Sequence, residues 1–246
     1  MRSIDVIFAI ISKSDTMYRN IKVVGFDADD TLWVNEPNYK ETERRFISLL
    51  KNRMNPDFLP KELYATEMNN LHLYGYGAKS FTLSMIETAV RICGESISGN
   101  LIEKIIALGK ELMDKPIELL EGVEAVLKKL NGNYRLIIAT KGDLLDQERK
   151  LKKSGLAGHF HHIEIMSEKN EAQYQNLLKH LDIKPDEFIM IGNSMRSDIL
   201  PVLEIGSYAI HVPYHTNWEH ELTGEPTPQT NRLLSVSAIS EVTGIL

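Results

Sequence analysis

The chain has 246 residues, 43% of them apolar and 25% charged, with a formal net charge of −6. This is the composition of a globular protein long enough for one large domain or a core with a smaller second domain, and its acidic balance argues against general binding to nucleic acid or an anionic membrane surface. A single cysteine, Cys93, excludes an internal disulfide and a cysteine-based zinc site, and no segment approaches the roughly 18–20 apolar residues of a membrane span.

Residues 1–16 read as an extension ahead of the core. Ile4 to Ile11 is apolar except for Asp5, but it is short and no small-residue cleavage site follows, so export is disfavoured and a cytoplasmic location is expected. Val23, Val24 and Phe26 then form a short buried strand that ends in Asp27, Asp29 and Asp30. Three carboxylates at a strand tip repel one another and serve no purpose in folding. A bound divalent cation gives them one, because hard cations take carboxylate oxygens.

Residues 36–115 carry helical periodicity with no strand signal. A first helix begins near Tyr39, with Phe46, Leu49 and Leu50 on one face. A second starts at Pro60 and breaks at Tyr74-Gly75-Tyr76-Gly77. A third runs from Phe81 to Gly94, and Ser98 caps a fourth that Pro116 closes. From residue 116 the pattern alternates. A helix over Gly122–Leu130 precedes a strand over Tyr134–Ala139, and a basic helix over Leu144–Ser154 precedes a strand over Phe160–Met166. A helix over Asn170–Leu181 follows, then a strand over Phe188–Ile191, a helix over Ser197–Ile205, a strand over Tyr208–Val212, and a last short strand and helix within Leu233–Leu246. Alternation of this kind predicts an α/β fold: a Rossmann-like, mainly parallel sheet with helices on both faces, and an inserted all-helical domain. The expected division is 17–35 and 116–246 for the core and 36–115 for the insert.

Three further strand ends carry polar residues. Thr140 follows Leu136-Ile137-Ile138-Ala139, and its hydroxyl, with the backbone N–H groups of Lys141 and Gly142, can donate to an anion; taken alone it is an ordinary turn residue. Lys169 follows the strand ending at Met166, in what reads as the first turn of a helix, where the macrodipole disfavours a cation. A nearby carboxylate cluster or phosphate would account for it. Gly192-Asn193-Ser194-Met195-Arg196-Ser197-Asp198 follows Phe188–Ile191. His159, His161 and His162 read as a solvated strand edge rather than a metal cluster, and His211, His215, Trp218 and His220 as loop residues.

Asp27-Ala28-Asp29-Asp30-Thr31-Leu32 resembles motif I of the haloacid dehalogenase-like hydrolase superfamily, and Thr140, Lys169 and the 192–198 segment resemble its motifs II, III and IV in order. The resemblance covers roughly Val23 to Val212, and the insert resembles the C1-type cap. It implies a Mg²⁺-dependent phosphomonoester hydrolase acting on a small phosphorylated metabolite. Asp27 would be the nucleophile, Asp29 the general acid/base, and Thr140 and Lys169 the groups that bind the transferred phosphoryl. The metal would be held by the Asp27 carboxylate, the Asp29 backbone carbonyl, Asn193 and Asp198, with Asn193 standing where the motif has an acid; which of Asn193 and Asp198 touches it first stays open. Lys141 and Lys79, the latter on the glycine-bearing loop of the insert, are further candidates for substrate binding; that loop reads equally as a plain helix connection. The alternatives are a phosphomutase or phosphotransferase of the same superfamily and a weakly catalytic phospho-ligand sensor. A dehalogenase is disfavoured because Asp29 is present.

Overall fold

The computed structural model describes residues 18–216, 218–221 and 228–246, so the proposed extension over 1–16 lies outside the described residues. Two compact units emerge. One comprises the described residues up to Val34, Glu118–Thr140 and those of Ser154–Leu246; the other comprises Asn35–Ile117 and Lys141–Lys153.

The first unit is built on six strands: β1 (Val23–Phe26), β2 (Arg135–Lys141), β3 (His162–Met166), β4 (Phe188–Gly192), β5 (Tyr208–His211) and β6 (Leu233–Ser235), in the order β3-β2-β1-β4-β5-β6. The β1–β2, β1–β4, β4–β5 and β5–β6 pairings are parallel. All four residues of β1 and all five of β4 are buried, as a sheet covered on both faces requires. One face packs on the helix over Glu171–His180, where Tyr174, Leu177 and Leu178 join Val23, Ile137, Phe188 and Met190 in a core cluster. Each such side chain contributes about 1.5–3 kcal/mol on burial. Strand order reverses at β1, between β2 and β4, and the carboxyl ends of the strands at such a switch point are where α/β sheets place ligands.

The second unit contains four helices of the insert, α1 (Glu36–Leu50), α2 (Leu59–Tyr74), α3 (Ala78–Cys93) and α4 (Gly99–Asp114), around their own core of Phe46, Leu50, Leu63, Phe81, Met85 and Ile105. α1 begins three residues earlier than the apolar spacing suggested, because Pro37 occupies the opening turn, where its missing N–H costs nothing. Ser98 does cap α4, accepting from the Leu101 N–H at 3.2 Å. Between α5 (Val123–Leu130) and α7 (Glu171–His180) lies the basic helix α6 (Leu144–Ser154), most of which groups with the insert rather than with the sheet. Its lysines explain why: Lys150 donates to Asn35 at 2.8 Å and Lys153 pairs with Asp114 at 2.8 Å.

Two expectations need correction. The single helix anticipated over Ser197–Ile205 is a π-type turn over Met195–Ile199 followed by the short helix α8 (Leu200–Glu204) with Pro201 in its first turn. The last segment folds as β6 and a 3₁₀ turn over Ile239–Gly244.

Candidate active site

The parallel register lines up the polar residues that follow the central strands. Phe26 pairs with Ile138 on one side and Ile191 on the other, so Asp27, Thr140 and Asn193 each lie within two residues of a common row. The Asp27 N–H donates to Ile191 O at 2.8 Å, carrying the β1–β4 ladder one residue into the site. The chain then turns sharply: Leu32 N–H bonds Ala28 O at 2.8 Å, and Asp30 adopts φ 64°. Asn and Asp tolerate this left-handed conformation better than most residues, which suits an aspartate to the position.

At the centre lies a buried charge triad. Lys169 is 4% exposed, and its ammonium sits 2.5 Å from Asp27 Oδ1 and 2.6 Å from Asp198 Oδ1. Burial pushes the Asp27 carboxyl up to about 7, against the pull of Lys169 and with the repulsion of Asp198 and Asp29 adding to it. Burial also works against the Lys169 ammonium, but Asp198 and Asp27 outweigh it and hold its pKa well above the usual lysine range. A buried carboxylate–ammonium–carboxylate group carries net negative charge in a poorly solvated place, a costly arrangement for stability alone. Lys169 is not in the first turn of α7, as the sequence suggested. It lies just before Asn170, whose side chain caps the helix by accepting from Gln173 N–H at 3.0 Å, so the expected conflict with the helix dipole is absent.

Asp198 is engaged at both oxygens. Its Oδ1 takes Lys169 and its Oδ2 takes the Ser194 N–H at 2.9 Å, and it is 1% exposed. It fits against Gly192 so closely that a Cβ there would lie 2.3 Å from Asp198 Oδ2. Asn193 differs. Its carboxamide oxygen lies 3.2 Å from Thr31 Oγ1, and the same hydroxyl lies 3.1 Å from Asp27 Oδ2. One hydroxyl proton serves one of those acceptors at a time. Asp29 is held by the Trp33 indole, whose Nε1–H donates to Oδ1 at 2.7 Å. Thr140 is buried at 1% exposure near the end of β2.

The donors would be a carboxylate oxygen of Asp27, the backbone carbonyl of Asp29 and the carboxamide oxygen of Asn193, hard oxygens that together carry one formal charge. Among the described residues, no group of three or more His, Cys, Asp or Glu side chains is arranged to hold a metal. One carboxylate, a backbone carbonyl and a carboxamide nevertheless suit Mg²⁺, which keeps several waters and takes one or two carboxylates with the phosphate of its substrate.

Lys79 and Lys141 are placed in the helical unit. Lys79 pairs with Asp143 at 2.9 Å, lowering the Asp143 pKa, and Lys141 Nζ lies 4.2 Å from the centre of the Tyr76 ring. Gly77, at φ 109°, lets the loop approach closely: a Cβ there would lie 3.3 Å from Asp143 N. The loop joining α2 and α3 is therefore tied to the segment that follows β2. His162 pairs with Glu164 at 2.8 Å, in keeping with a strand edge rather than a metal cluster.

Sequence reasoning missed three supports. Thr31 and Trp33 stand four residues after Asp27 and Asp29, a spacing that could have paired them. His211, read as a loop residue, ends β5 with Nε2 3.0 Å from Asn193 O; a carbonyl only accepts, so the ring N–H donates and fixes that peptide.

The description "haloacid dehalogenase-like hydrolase" matches residues 21–206 of this chain. Human N-acylneuraminate-9-phosphatase is 23% identical over 237 residues, covering 92% of this chain and 94% of that protein. The crystal structure of a haloacid dehalogenase-like family hydrolase from Xanthomonas campestris superposes with a TM-score of 0.81 at 38% identity, covering 91% of this chain and 89% of that one. A 2-haloacid dehalogenase from Pseudomonas syringae pv. Tomato DC3000 shares the fold, with a TM-score of 0.59 at 16% identity over 92% of this chain and 97% of its own.

Proposed function

The chain belongs to the haloacid dehalogenase-like hydrolases, and from that premise we propose that it is a Mg²⁺-dependent phosphomonoester hydrolase working through a phosphorylated Asp27. Fold alone does not choose the reaction, since the same scaffold carries carbon–halogen hydrolysis. The reading rests on one observation: the buried Asp27–Lys169–Asp198 triad has a second carboxylate, Asp29, on the same turn, held by Trp33.

Asp27 attacks phosphorus with the oxygen that Lys169 does not engage, and Lys169 balances charge on the nucleophile and on the transferred group. Asp29, protonated, gives its proton to the leaving oxygen, then removes one from the water that cleaves the aspartyl-phosphate. The Thr140 hydroxyl donates to a phosphoryl oxygen. Mg²⁺, held by the Asp27 carboxylate, the Asp29 backbone carbonyl and Asn193, would supply positive charge against the phosphoryl oxygens. Asn193 is preferred to Asp198 for this, because Asp198 is 1% exposed and each of its oxygens already accepts a bond, from Lys169 and from Ser194. The helical insert serves as a C1-type cap, with Lys79 and Lys141 as its candidate substrate-binding residues.

The substrate class is a small phosphorylated metabolite. The human relative, named for an N-acylneuraminate 9-phosphate, makes sugar-acid phosphates the first group to test. Phosphate release from a panel of such compounds, sugar phosphates, nucleotides and phosphoglycolate, read as kcat/KM, should single out one class by at least tenfold. No release from any member, by folded protein in ample Mg²⁺, would overturn the reading.

A further inference from the structure

We propose that Glu221 is a positioning residue for the metal site: its carboxylate clamps the 193–198 turn and makes up for the charge that Asn193 lacks. The proposal deepens the reading that this site takes Mg²⁺, and rests on it.

Asn193 opens a tight turn that is secured from two sides. From the sheet side, Tyr174 Oη donates to Ser197 O at 3.0 Å, and the Asp198 carboxylate accepts from Ser194 N–H and from Lys169. On the other side stands Glu221, in the 3₁₀ turn Glu219–Glu221. Its Oε2 accepts from both Ser194 Oγ and, at 2.6 Å, Ser197 Oγ. Ser194 is 8% exposed and Ser197 3%, so these bonds form where water competes poorly. Ser194 Oγ also accepts from the Ser197 N–H at 3.0 Å, which makes the serine both the cap of the π-type turn and a link to the carboxylate. The join runs in both directions, since Arg196 donates to His220 O at 2.8 Å.

Two neutral hydroxyls sharing one carboxylate oxygen form charge-assisted bonds, stronger than a neutral acceptor would give. An uncharged side chain could have filled this space without bringing an anion beside the turn. The anion has a use here, because Asn193 offers an oxygen with no formal charge and metal affinity depends on the charge of the donor set. A carboxylate one residue away, bonded through Ser194, restores negative potential without competing for a coordination position. Groups that orient ligands from behind in this way commonly carry 10–100-fold in metal affinity.

Titration calorimetry of MgCl₂ into the full-length protein tests the idea without any substrate. Glu221→Ala should weaken the Mg²⁺ Kd about 10–100-fold, and Glu221→Gln less, because its carboxamide oxygen still accepts hydroxyl bonds. In parallel assays the Mg²⁺ concentration for half-maximal rate should rise with the Kd, while kcat at saturating Mg²⁺ stays within about threefold of wild type. Should Glu221→Ala fail to fold by circular dichroism, Glu221→Gln and the Ser194→Ala/Ser197→Ala double variant make the same test from opposite ends of the bonds. Folded Glu221 variants with wild-type Mg²⁺ affinity, or a loss of kcat with the Kd unchanged, overturn the proposal and leave the phosphatase reading standing. A wild-type protein that binds no Mg²⁺ overturns both.

Discussion

Asp27 is costly to bury as a carboxylate. A carboxyl whose pKa is near 7 in the fold and about 3.8 when unfolded binds its proton more tightly in the folded state. Its contribution to stability therefore falls as pH rises from about 3.8 to 7, and the penalty is complete above that window. Asp27→Asn removes the penalty, so the Mg²⁺-free variant should melt several degrees above wild type at pH 8 and show a smaller gain at pH 5. Equal gains at both pH values would show that burial of this carboxyl is not the cause. Asn193 lies at the opposite extreme, a group chosen for low charge. Asn193→Asp should tighten Mg²⁺ binding by about tenfold in calorimetry, since a second anionic ligand joins the set; unchanged affinity would place the metal elsewhere. The functional cluster was largely legible from the chain because each member follows an apolar strand, where a carboxylate, lysine or threonine stands out against its surroundings. Glu221 and His211 were not legible. His211 reaches Asn193 through the register of β5 beside β4, whereas Glu221 lies in a stretch with no pattern of its own and meets Ser194 and Ser197 only through the tertiary fold.

Among the elements, the helices of the insert show how closely small residues govern packing. A Cβ added to Gly109 of α4 would lie 2.1 Å from Thr82 Oγ1 of α3, so these helices meet at a contact that only glycine permits. Gly109→Ala gains roughly 1 kcal/mol of helix propensity but forces the helices apart, and overpacking of this kind costs about 1–3 kcal/mol. The net expectation is a modest loss in chemical denaturation. A clear gain would show that Thr82 simply rotates away. Helix periodicity found α1 to α4 because their apolar faces repeat over fifteen or sixteen residues. It failed at the turn after β4, where five residues of π geometry and a proline-started helix look, in sequence, like one continuous helix. Such π turns concentrate at functional sites, and this one sets Ser194 N–H on Asp198 and both serine hydroxyls on Glu221.

For the whole molecule, the sequence conveyed the alternation that demands a parallel sheet and the helical block that interrupts it. It did not convey that Lys141–Lys153 groups with the insert, because that depends on Lys79, Lys150 and Lys153 finding partners distant in the chain. Within the sheet unit, Lys169 and Thr31 engage Asp27 directly, and Asp198 and Asn193 join through them. The central claim is that Asp27 takes the phosphoryl group with Mg²⁺ in attendance. The most direct test is phosphate release from an aryl phosphate by wild type and by Asp27→Asn, each with Mg²⁺ and with chelator. The account predicts release by wild type in Mg²⁺ alone, falling at least 10³-fold in the variant or on chelation, as expected when a nucleophile is removed. Chelator-resistant release, or an Asp27→Asn variant that keeps its rate, would contradict it.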